Sequence, residues 1–342
     1  MKILHSADWH LDAPLQGYDE LKDLLLSIPG RIVEICRREG CEIVLLAGDL
    51  FDGAYSQKSY RVLYDALEEM QVPVFISPGN HDFISPESPY IKEKLPENVH
   101  IFRSPQIEKV TLPGVTVWGA GYTAMECPAL LSGFTAEETG LQLGILHGDI
   151  SPRSTYCPIT KKQVEESRLA YLALGHIHKG DFFTAGSTLC GFPGCPMGKD
   201  FGESGEKGIY IVDTENLSAP RFVSLGLPAF YDLTAPIESL STILPPVATQ
   251  DYYRITLTGH CEKPDLHALK AEFSHIPNLT LRDNTLPPID LWKDAGEDSF
   301  AGQYFALLKE NAESPDPETA KLYTLAARIS RQILAGEEVV LP

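Results

Sequence analysis

Five short apolar runs in the first 180 residues of the chain each end in a knot of polar, ligand-type residues. The pieces are "ADWH" (7–10), "AGDLFD" (47–52), "PGNHD" (78–82), "LHGD" (146–149) and "LGHIH" (174–178). Each closes on Asp, Asn or His, and four of the five carry a glycine beside the polar group. Five of the ten histidines, at 10, 81, 147, 176 and 178, fall in these pieces. A packed core has no use for such residues. In an open α/β sheet, however, residues at the carboxyl ends of strands converge on one crevice, where ligands bind. The pattern therefore predicts an α/β domain whose strand ends meet at a polar site.

The intervening sequence agrees. "KILHSA" (2–7), "EIVLLAG" (42–48), "VPVFIS" (72–77), "VTVWGAG" (115–121), "LQLGILHG" (141–148), "YLALGH" (171–176) and "GIYIVD" (208–213) read as strands. Helical periodicity runs through 21–40, where Gly40 is a natural stop, and through 59–70. Continuous apolar strands separated by helices predict a layered domain with central strands buried on both faces. The texture changes after 213. Residues 227–250 hold four prolines and read as a connector. A strand–helix–strand unit follows at 251–290, and the tail at 291–342 carries one helical pattern with Leu322, Leu325, Ala326, Ile329 and Ile333 on one face. The expected division is a catalytic domain at 1–226, a linker at 227–250, a small α+β capping domain at 251–290 and a helical C-terminal tail at 291–342.

Composition narrows the functions. With 28 basic and 47 acidic residues the formal charge is −19, which opposes a broad, non-specific grip on phosphate backbones but leaves room for a local basic groove. The seven cysteines are odd in number and scattered, without a C-x-x-C, so free thiols in a reducing, cytoplasmic setting are expected. No apolar stretch approaches the ~20 residues of a membrane span, and the N-terminus lacks a signal peptide's apolar segment; no membrane association is expected.

Metal binding explains the concentration of Asp, Asn and His. These are hard-to-borderline N/O ligands, and without a thiolate among them they suit Mn, Fe or Zn. Asp8 and His10 are one residue apart, as are His176 and His178. The candidates Asp8, His10, Asp49, Asn80, His147, His176 and His178 are too many for one tetrahedral ion and about right for two sharing a carboxylate. Two cations about 3.5–4 Å apart can activate a hydroxide and stabilise both oxygens of an in-line phosphoryl displacement.

In order and separation, D-x-H, G-D-x-x-D, G-N-H-D, H-G-D and G-H-x-H resemble the calcineurin-like metallophosphoesterases over about residues 1–213. A narrower resemblance, to SbcD-type DNA-repair exonuclease subunits, rests on "ILHSADWHLD", "AGDLFDG", "PGNHDF", "PGCPMGKDFGESGEKGIYIVD" and "YRITLTG". The resemblance implies a layered β-sandwich core flanked by helices. It implies two divalent ions, Mn²⁺ by the family's habit, one on Asp8, His10, Asp49 and His178 and the other on Asp49, Asn80, His147 and His176. His81 then matches the family histidine that meets the phosphate and protonates the leaving oxygen. Asp52, Asp82 and Asp149 are candidates for orienting imidazoles, with turn capping as the alternative.

The implied function is a dinuclear-metal phosphodiesterase that cleaves DNA by a metal-activated hydroxide, as the exonuclease or endonuclease subunit of an SbcCD-type repair complex. The implied partners are DNA, a second copy of the chain and an SbcC-like ATPase supplied in trans, since this sequence lacks a Walker motif and long heptads. The charge of −19 keeps a small phosphodiester or a phosphoprotein open as the substrate. A catalytically silent scaffold is disfavoured, because all seven ligand positions and His81 are filled. "GCPMGKD" (194–200) imitates a phosphate loop, but Pro193 stands at the first glycine position and Asp200 replaces the hydroxyl residue after Lys199. It is expected as a loop near the cleft. His5, His100, His260, His267 and His275 lie outside the motifs and read as structural or solvated.

Overall fold

The computed structural model describes residues 1–15, 17–136, 139–336 and 339. The chain divides into two compact units, one of Met1–Asp232 with Gln250–Tyr253 and the other of Leu233–Thr249 with Arg254–Pro342. The strands in chain order are β1 (Lys2–Ser6), β2 (Ile43–Leu46), β3 (Val74–Ile76), β4 (Val99–Ile101), β5 (Glu108–Leu112), β6 (Val115–Gly119), β7 (Leu141–His147), β8 (Tyr171–Gly175), β9 (Asp181–Ala185), β10 (Thr188–Phe192), β11 (Gly208–Asp213), β12 (Asn216–Ser224), β13 (Phe230–Pro236), β14 (Tyr252–Thr258) and β15 (Leu279–Asp283).

The first unit is a four-layer α/β sandwich. One sheet runs β12-β11-β1-β2-β3-β4 and the other β5-β6-β7-β8-β10-β9. Within the first sheet β1 to β4 are parallel in sequence order, and in the second β6, β7 and β8 are parallel. Ile3, Leu45, Phe75, Val117, Ile145 and Ala173 pack between the sheets. Leu4, Val44, Leu46 and Ile76 face outward onto the helices Lys22–Glu39 and Gln57–Met70. Leu146, Leu172 and Leu174 face the opposite way, with Val164 of the helix Lys161–Ser167. Both faces of the central strands are thus covered, which is why they read as continuous apolar runs rather than alternating ones. Each large side chain buried in this way, such as Phe75 at 2% exposure, contributes about 1.5–3 kcal/mol.

Local signals set the ends. Gly40 closes its helix in the left-handed region (φ 65°), as the sequence predicts, and a capping box of Ser56 and Ser59 opens Gln57–Met70. All seven cysteines are free, and six of them are buried. Among the described residues no helix is long and apolar enough to cross a membrane.

Among the polar groups buried in the sandwich is a histidine. His5 is fully buried; its Nε2–H donates to the Leu174 carbonyl (3.1 Å) and its Nδ1 accepts from the Tyr171 hydroxyl (2.6 Å). Burial pushes its pKa from 6.5 down to about 3. The unfolded chain therefore takes up a proton near pH 6.5 that the folded chain refuses until about pH 3, so stability falls as pH drops through that window. His5→Gln is expected to flatten the dependence of the denaturation midpoint on pH over this range. Equal slopes in variant and wild type would show that His5 does not contribute.

The second unit contains most of the sheet β13-β14-β15, with the helix Leu266–Glu272 between β14 and β15. The segment 227–250, expected as a connector, contains β13; its short run is bracketed by Pro228 and Pro236, which hide the strand signal. The tail holds two helices rather than one, Phe300–Ala312 and Pro317–Ala335; Glu337 and Glu338 of the expected helical pattern lie outside the described residues. The first of these helices is hidden in the sequence because Phe305 and Leu308 are buried while Phe300 and Leu307 on other faces are exposed, which blurs the periodicity. Its inner face packs with Ala327, and the Arg331 guanidinium lies over the Phe305 ring at 3.7 Å.

Candidate metal centre

The five polar pieces all lie at the carboxyl ends of strands in the first unit. Asp8 and His10 follow β1, Asp49 follows β2, and Asn80 and His81 follow β3; His147 ends β7, and His176 and His178 follow β8. One sheet thus supplies three of the pieces and the other supplies two. Four of the residues adopt left-handed backbone: Asp8 (φ 56°), His10 (φ 48°), Asp49 (φ 52°) and His176 (φ 101°). Each such non-glycine residue costs about 1–3 kcal/mol and persists only where its surroundings over-determine it. That strain falls on residues whose side chains must turn back over the strand ends.

The side chains meet. Asp8, His10 and His178 offer donor atoms within 4.8 Å of one another, and so do Asp8, Asp49 and His147. His10 Nε2 lies 3.1 Å from His178 Nε2, and the Asn80 carbonyl oxygen is 3.0 Å from His147 Nε2 and 3.2 Å from His176 Nδ1. Asp49 Oδ2 stands between the groups, 3.9 Å from His10 Nε2 and 3.4 Å from His147 Nε2. Gly79 allows this approach, since a Cβ there would sit 2.3 Å from Asp49 Oδ1 and 2.7 Å from His147 Nδ1.

The tautomers make the arrangement informative. His10 Nδ1 is held by the Asp52 carboxylate (2.9 Å) and His178 Nδ1 by Glu203 (2.5 Å), while His147 Nδ1 donates to the Ala47 carbonyl (2.8 Å). The rings of His10 and His178 then turn a bare Nε2 inward. The two lone pairs of His10 and His178 face each other, while a proton on His147 Nε2 is shared with the Asn80 oxygen. Lone pairs at about 3 Å repel unless positive charge stands between them, so the donor set fits cations.

The electrostatics agree. Burial lowers His10 to about 4, and burial together with His147 lowers His176 to about 4, the neutral state a metal ligand needs. Burial alone would depress His147 as well, but the Asp49 carboxylate raises it to about 9, so a proton there balances the buried charge. Burial likewise raises Asp8 to about 6 despite His147 and His178. For Asp49 burial is outweighed by His147 and His10, and the pKa falls below the carboxylate range.

His81 differs from the rest. Its Nδ1 is bound by Asp52 at 2.9 Å, its side chain is 45% exposed, and its pKa is raised mainly by that bond. It is also within reach of the cluster, since it shares a 4.8 Å group with His10 and Asp49. Asp52 thus serves two rings, and the two bonds hold its carboxyl far below the usual range.

The other two orienting candidates do something else. Asp82 accepts from the amides of Leu50 (2.8 Å) and Gly79 (2.8 Å) and from the Tyr90 hydroxyl (2.6 Å), so it ties the loops after β2 and β3 together rather than holding an imidazole. Asp149 accepts from the Ser151 amide (2.9 Å) and caps its own turn. Sequence reasoning missed Glu203, although it lies in the 193–213 stretch singled out for other reasons. Besides His178 it accepts from the Lys199 amide (2.8 Å) and lies 3.6 Å from Lys199 Nζ; burial is overcome by these partners and its pKa drops to about 2. Glu203→Ala is expected to weaken metal binding about 10–100-fold, with Glu203→Gln less affected because it still accepts from Nδ1. Titration calorimetry showing equal affinity in wild type and Glu203→Ala would remove Glu203 from the site.

Residues 1–180, more than half of the 342, match the sequence model of the calcineurin-like phosphoesterases. The chain belongs to this family. Calcineurin-like phosphoesterases bind two divalent metal ions, and the His/Asp cluster fits such a site. An uncharacterised metallophosphoesterase of Bacillus subtilis (strain 168), YhaO, is 31% identical over 241 residues, covering 63% of this chain and 58% of YhaO. The SbcD component of nuclease SbcCD from the same organism is 24% identical over 264 residues, covering 63% of this chain and 66% of that protein. The chain spans less than two thirds of the length of either relative. Among solved structures, a dimetal phosphatase from Danio rerio aligns with a TM-score of 0.43 at 13% identity, over 62% of this chain and 91% of its own.

Proposed function

We propose that this calcineurin-like phosphoesterase is a dinuclear-metal phosphodiesterase acting on DNA, the nuclease subunit of an SbcCD-type assembly. The observation that carries the phosphodiesterase reading is the division of labour among histidines: inward, neutral rings on one side, and a half-exposed, proton-retaining His81 on the other. One ion would be held by Asp8, His10, Asp49 and His178 and the other by Asp49, Asn80, His147 and His176, with Asp49 shared. Bound there, the ions polarise the phosphoryl oxygens and lower the pKa of an attacking water. Asp52 fixes the His81 ring by Nδ1, and Nε2 presents its proton to the leaving oxygen. Lys199, held through Glu203, brings one ammonium to a centre dominated by carboxylates.

The DNA assignment is supported by the likeness to the SbcD component of nuclease SbcCD and by the strand–helix–strand unit at 251–290, proposed as a cap that selects DNA ends. An ATPase in trans and a second copy of the chain complete the proposed assembly, and the free thiols fit a cytoplasmic setting. A second reading, a small phosphodiester or phosphoprotein as substrate, is favoured by the net charge of −19. Incubating the protein with Mn²⁺ and linear duplex DNA, single-stranded DNA or bis-p-nitrophenyl phosphate separates them. Cleavage of DNA is the expected result. Cleavage of the small ester alone, with no DNA cleavage when an ATPase partner is supplied, would select the second reading.

A further inference from the structure

A cleft of about 290 Å³ opens on the far side of the His178 turn, within the first unit. His178 lines this cleft and also contributes to the metal centre, so the two adjoin. The cleft is built by close backbone contacts. A Cβ at Gly180 would sit 2.9 Å from the Tyr210 hydroxyl, and one at Gly194 (φ 75°) would sit 3.0 Å from the Gly180 amide and the His178 carbonyl. Glycine at both positions keeps the space open.

Its lining combines two chemistries. Tyr210 and Phe222 stand with ring centroids 5.6 Å apart at 63°, and Phe222 is 37% exposed although it is a large apolar residue on a strand. Lys179 and Lys207 line the same cleft, with Glu206 as the one carboxylate among its described lining residues. Lys207 Nζ donates one hydrogen bond to the His178 carbonyl (3.0 Å), which anchors its ammonium and leaves further N–H groups for a ligand. In a chain of net charge −19, a local excess of ammonium in one cleft with an exposed aromatic ring, Phe222, and the half-buried Tyr210 is the composition that receives a base and its phosphate.

We propose that this cleft is a subsite for one nucleotide flanking the scissile phosphate, its base stacked on Phe222 and Tyr210 and its phosphate met by Lys179 and Lys207. The proposal rests on the nucleic-acid reading given above and sharpens it. At about 290 Å³ the cleft is near the lower end of small-ligand sites, which run about 300–1,000 Å³, and has room for one base. A base stacked on side-chain rings has left the duplex stack, so the strand entering the cleft is unpaired at that nucleotide. A phosphopeptide offers no base for the rings, and a bare aryl phosphodiester has only one phosphate, which the metal centre itself would hold.

The test uses the full chain with a short single-stranded oligonucleotide carrying 2-aminopurine. In EDTA, wild type is expected to quench the fluorophore on binding. Phe222→Leu should weaken this binding about tenfold or more, while Phe222→Trp, which keeps a stacking face, should retain it. Lys179→Glu should weaken binding and reduce the slope of log affinity against log salt by about 0.7. With Mn²⁺, kcat/KM on the oligonucleotide relative to that on bis-p-nitrophenyl phosphate should fall by a similar factor in Phe222→Leu. If Phe222→Leu does not fold, Lys179→Glu decides alone, and affinity equal to wild type in that variant overturns the subsite. Oligonucleotide affinity in Lys179→Glu and Phe222→Leu equal to that of wild type would overturn the subsite and leave the nuclease reading intact. Wild type that cleaves the small ester but neither binds nor cleaves the oligonucleotide, with or without an ATPase partner, would overturn the nucleic-acid reading itself.

Discussion

Replacing Asp49 is expected to empty the centre of metal and to reduce turnover by at least about 10³-fold, the scale of losing a preorganised charge-stabilising element. The argument is positional. Asp49 is 2% exposed and stands between His10 and His147, which belong to the two proposed ion sites. Its other oxygen accepts from the His81 amide (2.9 Å), so the carboxylate also tethers the loop that carries Asn80 and His81. Asp49→Asn is the cleaner variant, since it keeps the size and tolerates the left-handed backbone at φ 52° better than alanine does. Elemental analysis of both variants provides the check. Either ion at full occupancy in Asp49→Asn and Asp49→Ala would show that the carboxylate is not shared.

His81→Ala is expected to keep its metal and lose about 10²–10⁴ in kcat, the usual range for a general acid. The loss should depend on the leaving group. A p-nitrophenolate departs without a proton, whereas a sugar alkoxide needs one, so the variant should lose far more activity on an oligonucleotide than on bis-p-nitrophenyl phosphate. Equal losses on the two substrates would remove the proton-donor role. Since His81 lies within reach of His10 and Asp49, metal content is the second readout. A missing ion in this variant would make His81 a ligand instead.

The donor set was legible because the chemistry needs particular side chains at particular places. Asp, Asn and His at the ends of apolar runs stand out against an otherwise apolar texture, and strand ends converge in any sheet of parallel strands. The layered α/β core was legible for the same reason, since strands covered on both faces must be apolar throughout. Elements with a diluted signal were not. β13 lies between prolines, and the helix Phe300–Ala312 has apolar residues on more than one face.

The linear order of residues carried the chemical inventory of the cluster and the strand ends that hold it. How those groups are partnered depends on the folded chain. That Asp52 holds both His10 and His81, that Asp82 ties backbone amides instead of a ring, and that Glu203 holds His178 were settled by packing. The reason is one of range. Periodicity and turn chemistry act over a few neighbours, whereas His10 and His178 are 168 residues apart and meet only because two sheets stack with their strand ends at the same edge.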